Sequence, residues 1–142
     1  MLRYKASAYA VLAMYDIAKE QRGASNPPGV RAADIAKRYR LPKAYTAKIL
    51  SQLANSGLLH SDRGPRGGYR LNRPADKVTM HDIFEGVGGI ATDKMEAPSL
   101  TTIPPAVDST LRRARTDTIS ALKTLFKKTS LMDILGKAAA SR

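Results

Sequence analysis

Apolar residues recur at spacings of three and four along most of this chain, and two short apolar runs near its middle read as strands. Ala8, Val11, Leu12, Tyr15 and Ala18 form the stripe of a first helix, which Ser7 caps, which runs to about Arg22 and which Gly23 stops. Ala24-Ser25-Asn26-Pro27-Pro28-Gly29 is a loop by composition. A short helix from about Ala32 to Arg38 buries Ile35 and Ala36. Arg40-Leu41-Pro42 then turns the chain, with proline suited to the first position of the next helix. That helix runs from Lys43 to about Ser56 and ends at Gly57. Its Tyr45, Ile49, Leu50 and Leu53 face the core, which leaves Lys43, Ala44, Ala47, Lys48 and Ser51 on the other face.

Leu58-Leu59-His60-Ser61 and Tyr69-Arg70-Leu71 are the strands of a hairpin, with Arg63-Gly64-Pro65-Arg66-Gly67-Gly68 turning between them. Two helices joined by a turn of three or four residues make a helix-turn-helix, and the hairpin adds a wing. Thr79-Met80-His81-Asp82 is a capping-box start for a helix ending near Gly88-Gly89. From Gly88 to Pro105 the periodicity is lost, which predicts a loop. Val107, Leu111, Ala114, Thr118, Ala121 and Leu125 then define a helix of about 22 residues, its stripe widened by Ile119, Leu122 and Phe126. Ser130-Leu131-Met132-Asp133 caps a short final helix. So wide an apolar face needs a cover, and a second copy of the chain supplies one as a C2 dimer.

The pattern therefore predicts a mainly α fold with a small β-wing: a winged helix-turn-helix domain over residues 1–87, a loop over 88–105, and a long dimerisation helix with a short C-terminal helix over 106–142. The dimerisation residues are Val107, Leu111, Ala114, Thr118, Ile119, Leu122, Leu125 and Phe126.

Charge sharpens this picture. The 142 residues carry a formal net charge of +12, and it is lopsided. Residues 1–77 hold 15 Lys/Arg against 5 Asp/Glu, a net of +10, whereas residues 78–142 hold 9 against 7, a net of +2. Solubility does not require one sign confined to one half, so a polyanion is the expected partner. No lysine-faced amphipathic stretch and no tryptophan points to a lipid surface. No run approaches the ~18 apolar residues needed to span a bilayer, and the expected location is the cytoplasm. Zero cysteines leave no disulfide, thiolate metal site or thiol-based redox sensor.

The major groove of B-DNA admits one helix if the facing side chains are small or polar. Ala44 and Ala47 allow close approach, and Lys43 sits at a helix N-terminus that favours phosphate. Lys48 reaches a guanine edge or a phosphate. Pro42 and Tyr45 complete this end of the helix, while Arg63 and Arg66 at the wing tip suit a narrow minor groove. Each residue also has a plainer role: solvated lysines, a packed tyrosine, glycines that serve the turn. His60 reads as a strand surface residue and His81 as a first-turn residue, neither within a cluster of metal ligands. No nucleophile–base pair is visible, so an enzyme is not expected.

These pieces together resemble the Rrf-two family of bacterial winged-helix transcription regulators. The resemblance is carried by Tyr9-Ala10-Val11-Leu12-Ala13-Met14, Ala33-Asp34-Ile35-Ala36, Tyr45 to Leu53, the Arg-Gly-Pro-Arg-Gly-Gly-Tyr wing at 63–69 and Val78 to Ile83. It covers residues 1–87 firmly and the helix at 106–129 in outline. It implies a dimer packed through the long helix, base reading by Pro42 to Lys48, minor-groove contact by Arg63 and Gly64, and a sensing region between Gly88 and Pro105. Cluster-binding members carry three cysteines in that region and this chain has none, so no iron–sulfur cluster is expected. The expected function is sequence-specific regulation of transcription, as a dimeric repressor on a pseudo-palindromic double-stranded DNA operator. A small-molecule effector of unknown identity is a further expected partner. The same residues also fit a winged-helix module that binds DNA or RNA without sequence preference, or a protein or small-molecule interaction module.

Overall fold

The computed structural model describes residues 4–89 and 103–140. The chain runs α1 (Tyr4–Gln21), α2 (Ala32–Tyr39), α3 (Lys43–Asn55), β1 (Leu59–Asp62), β2 (Gly68–Leu71), a single 3-10 turn (Ala75–Lys77), α4 (Met80–Gly86), α5 (Pro105–Lys127) and α6 (Leu131–Ala140). This is the mainly α, winged helix-turn-helix architecture that the sequence predicts. Residues 90–102, most of the expected sensing loop, lie outside the described residues.

α1 is the spine of the core, but its buried face differs from the expected one. Ala6, Ala10, Ala13, Met14 and Ile17 are buried together with the expected Ala18, whereas Ala8, Val11, Leu12 and Tyr15 are only half-buried. Small alanines on the inner face let neighbouring helices come close, so the bulkier stripe is turned toward a surface groove. The helix also starts at Tyr4, ahead of the expected cap. Ser7 lies inside it, almost fully buried, because Ala6 packs into the core and carries the helix past it. Gly23 adopts a φ of +77 and ends the segment as expected.

α2 and α3 form the helix-turn-helix. Arg40 adopts the left-handed conformation at φ 54, and its N–H and that of Leu41 are both directed to the Ala36 carbonyl. Pro42 is the N-cap of α3 rather than its first residue, and its carbonyl accepts from the Thr46 N–H at 3.0 Å and the Thr46 hydroxyl at 2.8 Å. Ile49, Leu50 and Leu53 of α3 reach the core, joined by Leu58 and Leu59 at the base of the wing.

The wing pairs antiparallel with Leu59 opposite Leu71 and Asp62 opposite Gly68. α4 begins with a complete capping box: the Asp82 N–H donates to Thr79 Oγ1 at 3.1 Å and the Thr79 N–H to Asp82 Oδ2 at 2.9 Å. Ser130 and Asp133 repeat the device at α6. α6 returns to the first domain: the Leu131 N–H donates to the Val78 carbonyl at 2.8 Å, and Leu131 and Leu135 are buried in the core that α1 organises. α6 thus packs against α1 and the 3-10 turn that precedes α4.

α5 differs from every other long element, since none of its residues is buried. Val107, Leu111 and Leu125 are 48%, 55% and 58% exposed. Near its C-terminal end the Phe126 ring meets Phe84 of α4 edge to face, with centroids 4.6 Å apart.

Candidate nucleic-acid interface

α3 presents two contrasting faces. Ile49, Leu50 and Leu53 anchor one, and Lys43, Ala44, Ala47, Lys48 and Ser51 are exposed on the other, with Pro42 exposed just before them. Tyr45, expected to be core, is half-buried and stacks edge to face on Tyr9 of α1 at 5.2 Å. Two methyl-sized side chains between two lysines leave a surface that admits close approach of a polyanion.

The wing is fixed to the helix-turn-helix by the loop before α2. Val30 pairs with Tyr69 in both directions, at 2.9 and 2.8 Å, and the Gly29 N–H donates to the Arg66 carbonyl at 3.0 Å. Gly29 and Gly68 meet through bare backbone: a Cβ on either would lie 2.8 Å from the other's main-chain atoms. That contact, together with a φ of +123 at Gly68, is why glycine is required there.

The four arginines near the wing divide by their partners. Arg70 donates to Asp62 at 2.9 Å, to the Arg66 carbonyl at 3.0 Å and to the Pro27 carbonyl, so its donors serve the wing rather than a ligand. Arg66 remains exposed while donating to the Asn26 carbonyl at 2.7 Å. Arg31, which the sequence reading passed over, donates to the Gly64 carbonyl at 3.2 Å and joins the start of α2 to the wing tip. Arg63 is exposed, and among the described residues it holds no carboxylate or carbonyl. It is the wing cation most open to a ligand.

Acidic groups here are neutralised by neighbours. The bond from Arg70 and, more weakly, the neighbouring His60 hold the Asp62 carboxyl below its ordinary range. Asp62 therefore stays paired and anionic without spoiling the cationic tip. His60 is exposed, as expected, with Nε2 2.9 Å from Asp62. His81 is in the first turn of α4, as expected, and it is buried. Lys5, also passed over in the sequence, sets its ammonium 5.0 Å from the ring centroid of Tyr45. Neither Arg31 nor Lys5 belongs to a motif, and only the fold brings them to this surface.

The dimerisation residues expected on α5 fall into two groups. Val107, Leu111, Ala114, Thr118 and Leu125 are exposed, whereas Ile119, Leu122 and Phe126 are half-buried.

A family model described as Rrf2, iron-dependent transcriptional regulator, matches residues 4–137. The IscR transcriptional regulator of Cereibacter sphaeroides is 34% identical over 79 residues, which are 56% of this chain and 50% of that protein. IscR of Vibrio campbellii is 38% identical over the same length, covering 45% of that protein. The chain spans about half the length of the curated relatives it matches. Among solved structures, CymR, the global cysteine regulator of B. subtilis, superposes with a TM-score of 0.67 at 26% identity, covering 93% of this chain and 94% of CymR. IscR of T. potens gives 0.68 at 23% identity, covering 96% of this chain and 88% of that one, a likeness of fold.

Iron dependence in that description raises the question of a cluster. This chain's donor set does not fit one held by thiolates, because its 142 residues include no cysteine. Among the described residues, no three His, Asp or Glu side chains gather as metal ligands either.

Proposed function

The chain belongs to the Rrf2 family of transcriptional regulators, and from that premise we propose that it binds a specific DNA operator as a dimer and regulates transcription, as a repressor. The observation that carries this reading is the exposed face of α3, where Ala44 and Ala47 stand between Lys43 and Lys48. Helix width and side-chain size suit the major groove, and Arg63 on the wing suits an adjacent minor groove. Pro42 and Tyr45 fix how the helix end is presented, and Gly64 and Arg66 shape the wing tip. The DNA-binding unit is residues 1–87, and α6 braces it from behind.

Exposed Val107, Leu111 and Leu125 on α5 support the dimer. So does an apolar groove of about 500 Å³ that includes Val11, Leu12 and Tyr15 of α1 and Ile134 of α6. Phe84 lines this groove and touches Phe126 of α5, so groove and stripe form one apolar surface of the kind a second copy covers. A small-molecule effector of unknown identity is a further partner in this reading. A thiolate-held iron–sulfur cluster has no part in this reading, because the chain carries no cysteine to hold one.

The test is selection of genomic DNA fragments by purified protein with excess non-specific competitor. The reading expects enrichment of an inverted repeat with half-sites about 34–36 Å apart, and loss of that enrichment in Ala47→Glu. Retention of DNA with no enriched sequence would assign an architectural role instead, and no retention would leave an interaction module.

A further inference from the structure

We propose that the first turn of α1 is an additional DNA-contact site, in which Lys5 holds a backbone phosphate beside the recognition helix. This rests on the DNA-binding reading above. Lys5 is exposed, and its ammonium lies 5.0 Å from the ring centroid of Tyr45 and 6.0 Å from that of Tyr9. The two rings lock edge to face at 5.2 Å and 75°. Tyr45 belongs to the first turn of α3, between Ala44 and Ala47. The cation is therefore held against the end of α3 that also presents Lys43.

The chemistry of this arrangement favours a phosphate. A lysine side chain normally surrenders much rotamer freedom when it is fixed. Here two aromatic faces confine it before any ligand arrives. An aromatic face attracts the ammonium from one side and leaves N–H donors for phosphate oxygens. Among the described residues, no carboxylate pairs with Lys5 and neutralises it. Arg70 shows the opposite case, with its donors spent on Asp62 and two carbonyls. Tyr45 is half-buried, so the ammonium stands at the rim of α3's exposed face. From there it fixes register along the duplex without reading a base.

The experiment measures wild type, Lys5→Gln and Lys5→Arg on the selected operator and on an unrelated duplex across a salt series. Lys5→Gln should weaken both duplexes by the same factor, roughly fivefold per protomer near 0.15 M salt, and lower the log–log salt slope by about 0.9 per protomer. Lys5→Arg should restore both. Wild-type binding with slope and affinity unchanged in Lys5→Gln overturns the proposal. So does a loss confined to the operator with the slope unchanged, which would reduce Lys5 to a support for Tyr45. A wild type that binds neither duplex removes the DNA reading itself, and this contact with it.

Discussion

Arg38 on α2 holds the carboxylate of Asp16 on α1, with one guanidinium nitrogen 2.6 and 2.7 Å from its two oxygens. Asp16 is fully buried, and the Tyr39 hydroxyl donates to it at 2.8 Å. Glu20 lies 3.6 Å from the same arginine and extends the pairing to the surface. This junction ties the first helix of the helix-turn-helix to α1 and so sets the angle at which α3 is offered. Asp16→Ala would strand Arg38 and Tyr39 without their acceptor. Urea unfolding should show a loss of about 2–4 kcal/mol, and a change below about 0.5 kcal/mol would show that the junction does not hold the seam.

The same junction predicts alkaline sensitivity. Burial first, then the bond to Asp16, pushes the Tyr39 hydroxyl up to about 12. The folded chain holds this proton more tightly than the unfolded chain does. Its stabilisation is therefore complete below the ordinary phenol value of about 10 and is lost as the pH climbs to about 12. Tyr39→Phe should flatten the fall in unfolding midpoint across that window. Identical profiles for wild type and variant would contradict the assignment.

On the wing, two arginines should fail in different ways. Arg63→Ala should weaken DNA binding and lessen the preference for A·T-rich flanks, while stability stays within about 0.5 kcal/mol of wild type. Arg70→Ala removes the donors that tie Asp62 to two carbonyls, so it should cost about 1–3 kcal/mol in urea unfolding and weaken binding only through the loosened wing. Equal effects on stability would show that the division of labour is wrong.

Leu111 is 55% exposed on α5. A leucine buried by a partner contributes about 1.5–3 kcal/mol, and a two-fold interface loses it twice. Leu111→Asp should weaken self-association by roughly a hundredfold or more, read as a shift from dimer to monomer in sedimentation velocity with helical content kept. A dimer that survives this substitution would move the interface off this part of α5.

Much of this molecule was legible in the sequence because local chemistry and tertiary packing agree. Both capping boxes, Gly23, Gly57, the buried Ile49, Leu50 and Leu53 of α3 and its exposed Lys43, Ala44, Ala47, Lys48 and Ser51 all fall where residue type alone puts them. Disagreement arises where packing overrides local preference. Ser7 has the chemistry of a cap, yet Ala6 continues the helix into the core and buries it. Leu12 and Tyr15 are larger than Ala10 and Ala13, yet close helix packing selects the alanines for the interior. The wing arginines look equivalent in sequence, and only the loop at Asn26 and Pro27 shows which are committed to main-chain carbonyls. Lys5 meets Tyr45 and Arg31 meets Gly64 across long stretches of sequence, so no spacing rule finds these contacts.

The Ala47 face of α3 is the surface proposed to enter the DNA groove. The absence of native cysteine makes a direct measurement simple, because Ala47→Cys carries a unique thiol for a short photo-crosslinker. With the selected operator, crosslinks should map to bases inside each half-site, while the same reagent on Met132→Cys of α6 should give none. Crosslinks from Met132→Cys and none from Ala47→Cys would contradict the account and turn the DNA to another surface of the protein.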